Sequence, residues 1–358
     1  MTTPLNTPAP TAFPLAELSR FARALLQAAG MPAAMAADVA DMLIEGDLLG
    51  HTTHGLALLG PYLAEIESGA MCVQGEPTVL SDQPAALTWD GRRLPGPWLV
   101  LRAMEAATDR ARRLGTGTVV IRRSHHIACL AAFHERATAQ GLVMLLLSSD
   151  ANSASVAPFG GLDPVFTPNP ISVGFPTPGD PVIVDVSAST TTNGLTNRLH
   201  KTGGKLPAPW LIDGHGQPSN DPAVLFNEPK GTILPLGGID SGHKGYGLAL
   251  TVEALTGGLA GFGRADPKQG WGATVFLQIL DPQAFGGLDA FTRQTGKVAE
   301  MCHDARPAWD GQPVRLPGER GLTLKREQAT HGVRLHESIM PLLTPWAQKL
   351  GVALPTSR

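Results

Sequence analysis

Apolar residues at Leu15, Leu18, Phe21, Leu25 and Leu26 return every three or four positions, the spacing that lines one face of an α-helix. Gly30-Met31-Pro32 interrupts the run and the pattern resumes over 33–49, which predicts a helical hairpin. A further helix is predicted over 56–69, with Leu58, Leu59, Tyr62, Leu63 and Ile66 on one side and a glycine at its end. Beyond Gly75 the texture changes to short apolar runs parted by Gly and Pro turns. Strands are predicted at 86–90, 116–122, 142–148, 182–186 and 274–280, and helices at 98–114, 127–140 and 246–259. Helical segments return at 288–302 and 327–350, on either side of an irregular Pro/Gly stretch at 306–320.

This order implies an α+β protein with a discontinuous helical domain, 13–75 with 282–358, and a central α+β domain over 76–281. The Thr- and Pro-rich segment 1–12 is expected to be a flexible arm. It has neither the basic start nor the apolar centre of a secretory signal, and the chain holds no apolar run of about eighteen residues, so neither export nor a membrane span is expected. No internal period of roughly 20 to 50 residues marks a repeat array.

Composition narrows the function classes. The chain has 358 residues, 43% hydrophobic and 16% charged, with a formal net charge of −3, and no cluster of Lys and Arg that would bind nucleic acid or an anionic membrane. A small metabolite is the expected partner. Its 3 cysteines, Cys72, Cys129 and Cys302, are widely spaced, which argues against a disulfide framework or a thiolate zinc site and for a reducing, cytoplasmic setting.

The densest chemical signal is Gly-His-Thr-Thr-His-Gly at Gly50 to Gly55. An imidazole titrates near neutrality, so His54 suits proton transfer; His51 and His54 could equally ligate a metal together with His125 and His126, as in a metal-dependent hydrolase. No metal site is expected, because neither HExxH nor H-x-E with C-x-x-C occurs. The glycine fingerprint of a Rossmann dinucleotide site is also missing: Gly115-Thr116-Gly117 precedes a strand, and Gly245-Tyr246-Gly247 stops short. Ser124-His125-His126 follows a predicted strand, where side chains face ligands. Asp185, at the end of 182–186, can orient an imidazole or cap a helix. Ser241 to Gly247 places Lys244 among glycines ahead of the helix predicted from Tyr246, which suits a phosphate or carboxylate. Pro317-Gly318-Glu319 reads as a tight turn.

In order and spacing these pieces resemble the malate/L-lactate dehydrogenase family, which also includes ureidoglycolate dehydrogenase, diketogulonate reductase, sulfolactate dehydrogenase and piperideine-2-carboxylate reductase. The landmarks are Gly50 to Gly55, Ser124 to His126, Asn169-Pro170, Asp185 to Ser189, Trp210 with Asp213 and Gly216, Leu234 to Gly237, His243 to Leu250, and Val314 to Glu319. The resemblance implies a non-Rossmann, mostly antiparallel domain that binds NAD or NADP, in a homodimer. It assigns His54 the proton, with Thr53 and Asp185 beside it. It implies cofactor contacts at Ser124, His126, Asp185, Val186, Ser187, Ala188, Ser189, Thr190, Thr191, His243, Lys244, Pro317, Gly318 and Glu319, and substrate contacts at Leu58, Tyr62 and Asn169. The implied reaction is reversible reduction of a 2-oxo acid, with a cyclic 2-imino acid as the alternative.

Three departures from the family pattern bear on substrate. Thr53 replaces a serine and keeps the hydroxyl. Leu58 stands where many members have an arginine able to grip a carboxylate, a bidentate contact that leucine cannot make. Arg122, Arg123 and Arg198 are the candidate substitutes, and Pro168 replaces the threonine ahead of Asn169.

Overall fold

The computed structural model describes residues 12–309 and 311–357. The chain forms two compact units: the described residues up to Gly69 with those from Arg320 onward, and Ala70–Glu319. The helix at Leu288–His303 therefore belongs to the second unit. Of the segment expected as a flexible arm, 1–11 lie outside the described residues and Ala12 is paired in a strand.

In the first unit, α1 (Leu15–Ala28) and α2 (Ala33–Leu48) form the hairpin that the periodicity predicts, and α1 buries Leu18, Phe21, Ala22, Leu25 and Leu26 on one stripe. A 3₁₀ turn at Leu56–Leu58 leads into α3 (Leu59–Glu67). The predicted helix over 327–350 is instead α9 (Glu319–His331), a short strand β12 (Val333–Arg334) and α10 (Ile339–Leu350). Gly332, at φ 97°, ends α9, and a Cβ there would lie 3.0 Å from the Phe13 carbonyl oxygen. The chain turns because β12 pairs antiparallel with β1 (Ala12–Phe13).

The second unit is built on a seven-stranded sheet. Its strands are β2 (Thr78–Gln83), β3 (Ala86–Asp90), β4 (Thr116–Ser124), β5 (Val143–Ser149), β6 (Pro170–Phe175), β7 (Val182–Ser187) and β11 (Ala273–Leu280). The spatial order is β2-β3-β4-β11-β5-β6-β7, with β3 and β4 parallel and every other pair antiparallel. The parallel pair is the one joined by a crossover helix, α4 (Gly96–Leu114), as parallel pairing requires. β11 enters between β4 and β5 and is buried on both faces by Val275, Phe276, Leu277 and Ile279.

Where 127–140 was predicted as one helix, Ala128 at φ 60° breaks the path, leaving a 3₁₀ turn at Leu130–Phe133 and a short α5 (His134–Thr138). A smaller sheet of β8 (Leu211–Ile212), β9 (Pro218–Ser219) and β10 (Thr232–Ile233) shares an apolar cluster with Val156, Phe166, Ala188 and Leu206. α6 (Asn193–Thr202) and α7 (Gly238–Glu253) pack on that cluster through Leu195, Leu199, Tyr246 and Ala249. α8 (Leu288–His303) completes the unit.

Candidate active site

The histidine turn grows directly out of the end of α2. His51 N–H donates to the Gly46 carbonyl at 2.8 Å and Gly50, at φ 85°, donates to Asp47 O at 3.0 Å, so the last carbonyls of the helix are taken by the turn itself. His54 N–H then closes onto the His51 carbonyl at 2.8 Å. The Thr53 hydroxyl and His54 Nδ1 lie 2.8 Å apart, a bond that sets the rotation of the half-buried ring. Leu58 is half-buried in the following 3₁₀ turn, whereas Tyr62 has its ring wholly inside the helical unit.

In the sheet unit the strand ends collect most of the other expected residues. Ser124 is fully buried at the end of β4, its hydroxyl donating to the His125 carbonyl at 2.7 Å. His126 is half-buried, its Nδ1 accepts from Ala128 N–H at 3.2 Å, and its ring lies 4.9 Å from that of Trp271. His125 is buried with its ring 5.0 Å from the same indole, edge to face. Asp185, half-buried on β7, accepts from Ala131 N–H at 2.9 Å. That bond anchors the 3₁₀ turn; the helix cap further along is Thr192, which accepts from Leu195 N–H.

The segment after Asp185 is fixed mostly through its backbone. Val186 is exposed, Ser187 half-buried, and Ala188 is buried with its N–H on the Pro168 carbonyl at 2.9 Å. The Ser189 hydroxyl donates to Thr191 O at 2.7 Å, and that of Thr190 reaches the carbonyls of Trp210 and Leu234. Asn169, at φ 47° and fully buried, donates to Glu253 Oε1 at 2.9 Å and accepts from the Thr167 hydroxyl at 2.7 Å, so its side chain is held inside the unit.

His243 and Lys244 are not ahead of a helix but inside one. α7 begins at Gly238, eight residues before the predicted start, and both side chains are exposed on it. The glycines that masked the helix have a packing reason: a Cβ on Gly245 would fall 2.3 Å from the Leu236 nitrogen, so α7 lies directly on the 234–236 backbone. His243 meets Phe159 edge to face at 5.7 Å. On the far side of β7, the Pro317 carbonyl accepts from Ile183 N–H at 3.0 Å. Gly318 turns there at φ 95°, and Glu319 accepts from Leu316 N–H and meets His303 Nε2 at 2.6 Å. The tight turn expected at 317–319 is present and is stitched to the strand that carries Asp185.

Two of the three candidate substitute cations are engaged on one carboxylate of this unit. Arg122 and Arg123 both converge on the buried Asp90, at 3.1 and 2.6 Å. Burial acts to raise the Asp90 pKa, but the Arg123 hydrogen bond, the Arg92 N–H, the Arg123 charge and the Arg122 bond hold it below the usual carboxylate range. Trp271 and His134 are two residues of this region that the sequence motifs do not single out. Trp271 sits between two glycines, which is the only trace of its place beside both histidines.

These groups fit a nicotinamide dinucleotide. Thr191 presents a buried hydroxyl oxygen with no hydrogen-bond partner just ahead of the α6 N-terminus, and backbone donors at a helix start suit a phosphate. Lys244 adds an exposed cation on α7 and Asp185 a carboxylate on the neighbouring strand. No helix among the described residues is long and apolar enough to cross a membrane.

The chain is similar to known proteins in sequence and in fold. A family model described as malate/L-lactate dehydrogenase matches residues 13–344. The L-lactate dehydrogenase of Cupriavidus necator is 33% identical over 350 residues, covering 96% of this chain and 99% of that protein. Among solved structures, malate dehydrogenase from Pyrococcus horikoshii superposes with a TM-score of 0.86 at 25% identity, covering 96% of each chain. The delta1-piperideine-2-carboxylate reductase of Pseudomonas syringae does so with 0.81 at 26% identity, covering 94% of this chain and 99% of that one.

Proposed function

The chain belongs to the malate/L-lactate dehydrogenase family and is an oxidoreductase, and from that premise we propose that it reduces a 2-oxo acid reversibly, with His54 as the proton donor and acceptor. The observation that carries this is the Thr53 hydroxyl on His54 Nδ1, which holds the imidazole in one orientation, as a proton-transfer role requires. The family places the chain with redox enzymes, against the reading as a metal-dependent hydrolase.

NAD or NADP, when bound, supplies or takes the hydride. The residues that would hold it are Ser124, His126, the 185–191 segment with its buried Thr191 hydroxyl, His243 and Lys244, and the turn 317–319. In the reductive direction His54 gives its proton to the carbonyl oxygen as the carbon gains hydride, so C=O becomes CH–OH; in reverse it takes the hydroxyl proton. Asp185 is proposed to stabilise the imidazolium, and Leu58 to face the substrate with an apolar surface.

A second reading rests on the comparison with solved structures: a cyclic 2-imino acid, whose C=N accepts hydride and proton in the same geometry, is the alternative substrate, and the Pseudomonas syringae neighbour is named for that chemistry. The exposed side chains of Ile239, Leu248 and Leu250 on α7 suit a homodimer contact. Three free cysteines suit the cytoplasm.

The test is a panel of pyruvate, oxaloacetate, ureidoglycolate and piperideine-2-carboxylate with NADH and NADPH, followed at the nicotinamide absorbance. Turnover of an open-chain 2-oxo acid that falls about 100-fold or more in His54→Ala, with cofactor affinity kept, is the expected result. Cofactor binding with no turnover across the panel overturns the activity. Undiminished turnover by His54→Ala overturns the role of the histidine.

A further inference from the structure

Among the described residues of the helical unit, Asp47 is the one buried charged side chain, 1% exposed. Its position is electrostatically unfavourable on two counts. It lies in the last turn of α2, where the helix dipole repels an anion, and it is removed from water, which penalises a carboxylate unless strong donors face it. The reason lies beyond the helix end. Asp47 Oδ2 accepts from Leu56 N–H at 2.7 Å, across the whole of the turn that carries His54.

The fit between this carboxylate and the turn is close. A Cβ on Gly55 would fall 2.4 Å from both Cγ and Oδ2 of Asp47 and 2.6 Å from Oδ1. The carboxylate thus occupies the volume that any side chain at Gly55 would take, and lies against the peptide immediately after His54. The backbone of Asp47 is pinned as well. Gln328, buried on α9, donates through Nε2 to the carbonyls of Asp47 and Leu48, each at 3.0 Å, and accepts from Arg334 N–H at 2.7 Å. The turn is therefore held at its start by Gln328 and at its end by Asp47.

We propose that Asp47 is a positioning residue for His54: its buried carboxylate fixes the Gly55–Leu56 peptide and favours the protonated form of the neighbouring imidazole. The inference rests on His54 being the proton donor, but concerns the turn and its charge rather than the substrate. Several other charged groups on the elements around the turn are paired. Glu45 on α2 meets Lys325 on α9, Glu67 on α3 meets Lys349 on α10, and Asp41 on α2 meets Arg23 on α1. Glu65 is half-buried on α3, and His51 is the second imidazole of the turn itself. A buried anion next to the turn raises the proton affinity of His54, which suits a group that must arrive protonated for reduction.

The test uses the full-length protein with isotopically labelled histidine. The His54 ring is assigned by its loss in His54→Ala and titrated by NMR in wild type and Asp47→Asn. The Asn oxygen still accepts from Leu56 N–H while the charge is gone. The expected result is a His54 pKa lower by about half to one unit in Asp47→Asn with the thermal midpoint little changed. An unshifted His54 pKa overturns the proposal, whether or not any substrate is turned over. The Leu56 amide of the wild-type protein gives a second readout that needs no variant. It is expected far downfield and slow to exchange, and rapid exchange there overturns the proposal too.

Discussion

His134 Nε2 and the Ser172 hydroxyl lie 2.6 Å apart inside the sheet unit, and Ser172 donates onward to the Val184 carbonyl at 2.7 Å. Since the serine hydrogen goes to Val184, the hydrogen between the two side chains belongs to His134 Nε2, and Nδ1 keeps a lone pair. Ser172 is the cross-strand partner of Asp185. This chain of bonds therefore ties α5 to the strand that carries a candidate cofactor ligand. Burial, with no counter-charge, pushes the His134 pKa down to about 3.

That depression fixes the sign of a pH effect. Between about pH 6.5 and 3 the unfolded chain holds a proton on this histidine that the folded protein does not, so stability rises with pH by about 1.4 kcal/mol per unit. The full contribution is present above the unfolded value and is lost as pH falls toward the folded one. Urea unfolding at pH 7 and pH 5 is expected to differ by about 2 kcal/mol through this group. In His134→Gln that part of the slope should vanish; an unchanged slope would place the acid sensitivity elsewhere.

Asp90 acts at lower pH. Its folded pKa lies below the ordinary value, so its contribution is present above about pH 4 and disappears as pH falls through the depressed value. Replacement by Asn leaves Arg122 and Arg123 with no anion between them. A loss of about 2 to 4 kcal/mol is expected for Asp90→Asn in urea at pH 7, reduced by the partial exposure of the two arginines.

Leu58→Arg restores the guanidinium that the family pattern often has beside the histidine turn. If the substrate is a 2-oxo acid, one charge-assisted pair is worth about 1.5 to 3 kcal/mol, and the KM for pyruvate or oxaloacetate should fall about tenfold or more. A KM that does not move means that the carboxylate is gripped away from this position. Steady-state kinetics on the variant decides between the two.

Gly245→Ala puts a methyl group 2.3 Å from the Leu236 backbone nitrogen. Backbone cannot yield as a flexible side chain would, so α7 must lift, taking His243 and Lys244 with it. A loss of about 1 to 3 kcal/mol in stability is expected, together with weaker NADH or NADPH binding by fluorescence titration. Loss of stability with cofactor affinity intact would separate α7 from the cofactor.

The sequence made regular elements legible where a long helical periodicity or an unbroken apolar run marks them. The helices α1 and α2 and the strands β3, β4, β5 and β11 lie close to their predicted bounds. It failed where local pattern and tertiary need diverge. The start of α7 is rich in glycine because the helix lies on another backbone, and β2 is almost wholly exposed, so no alternation marks it. β6, which begins at Pro170, was also hidden. His54, Asp185 and Lys244 stand out by their immediate sequence neighbours, and the roles proposed for them come from the family resemblance. Asp47, His134 and Trp271 do not stand out, since each has its partners far away in the sequence or across a turn.

The pairing of Phe13 with Val333 brings a residue from early in the chain against one made near its end. A ribosome releases nearly all of Ala70–Glu319 before the helix that carries Gln328 and the strand that follows it. The sheet unit therefore has time to fold while α1, α2 and the histidine turn wait for their closing segment. A chain halted before Arg320 carries every strand of the large sheet yet has no Gln328 brace on the end of α2, so the setting of the histidine turn is completed last.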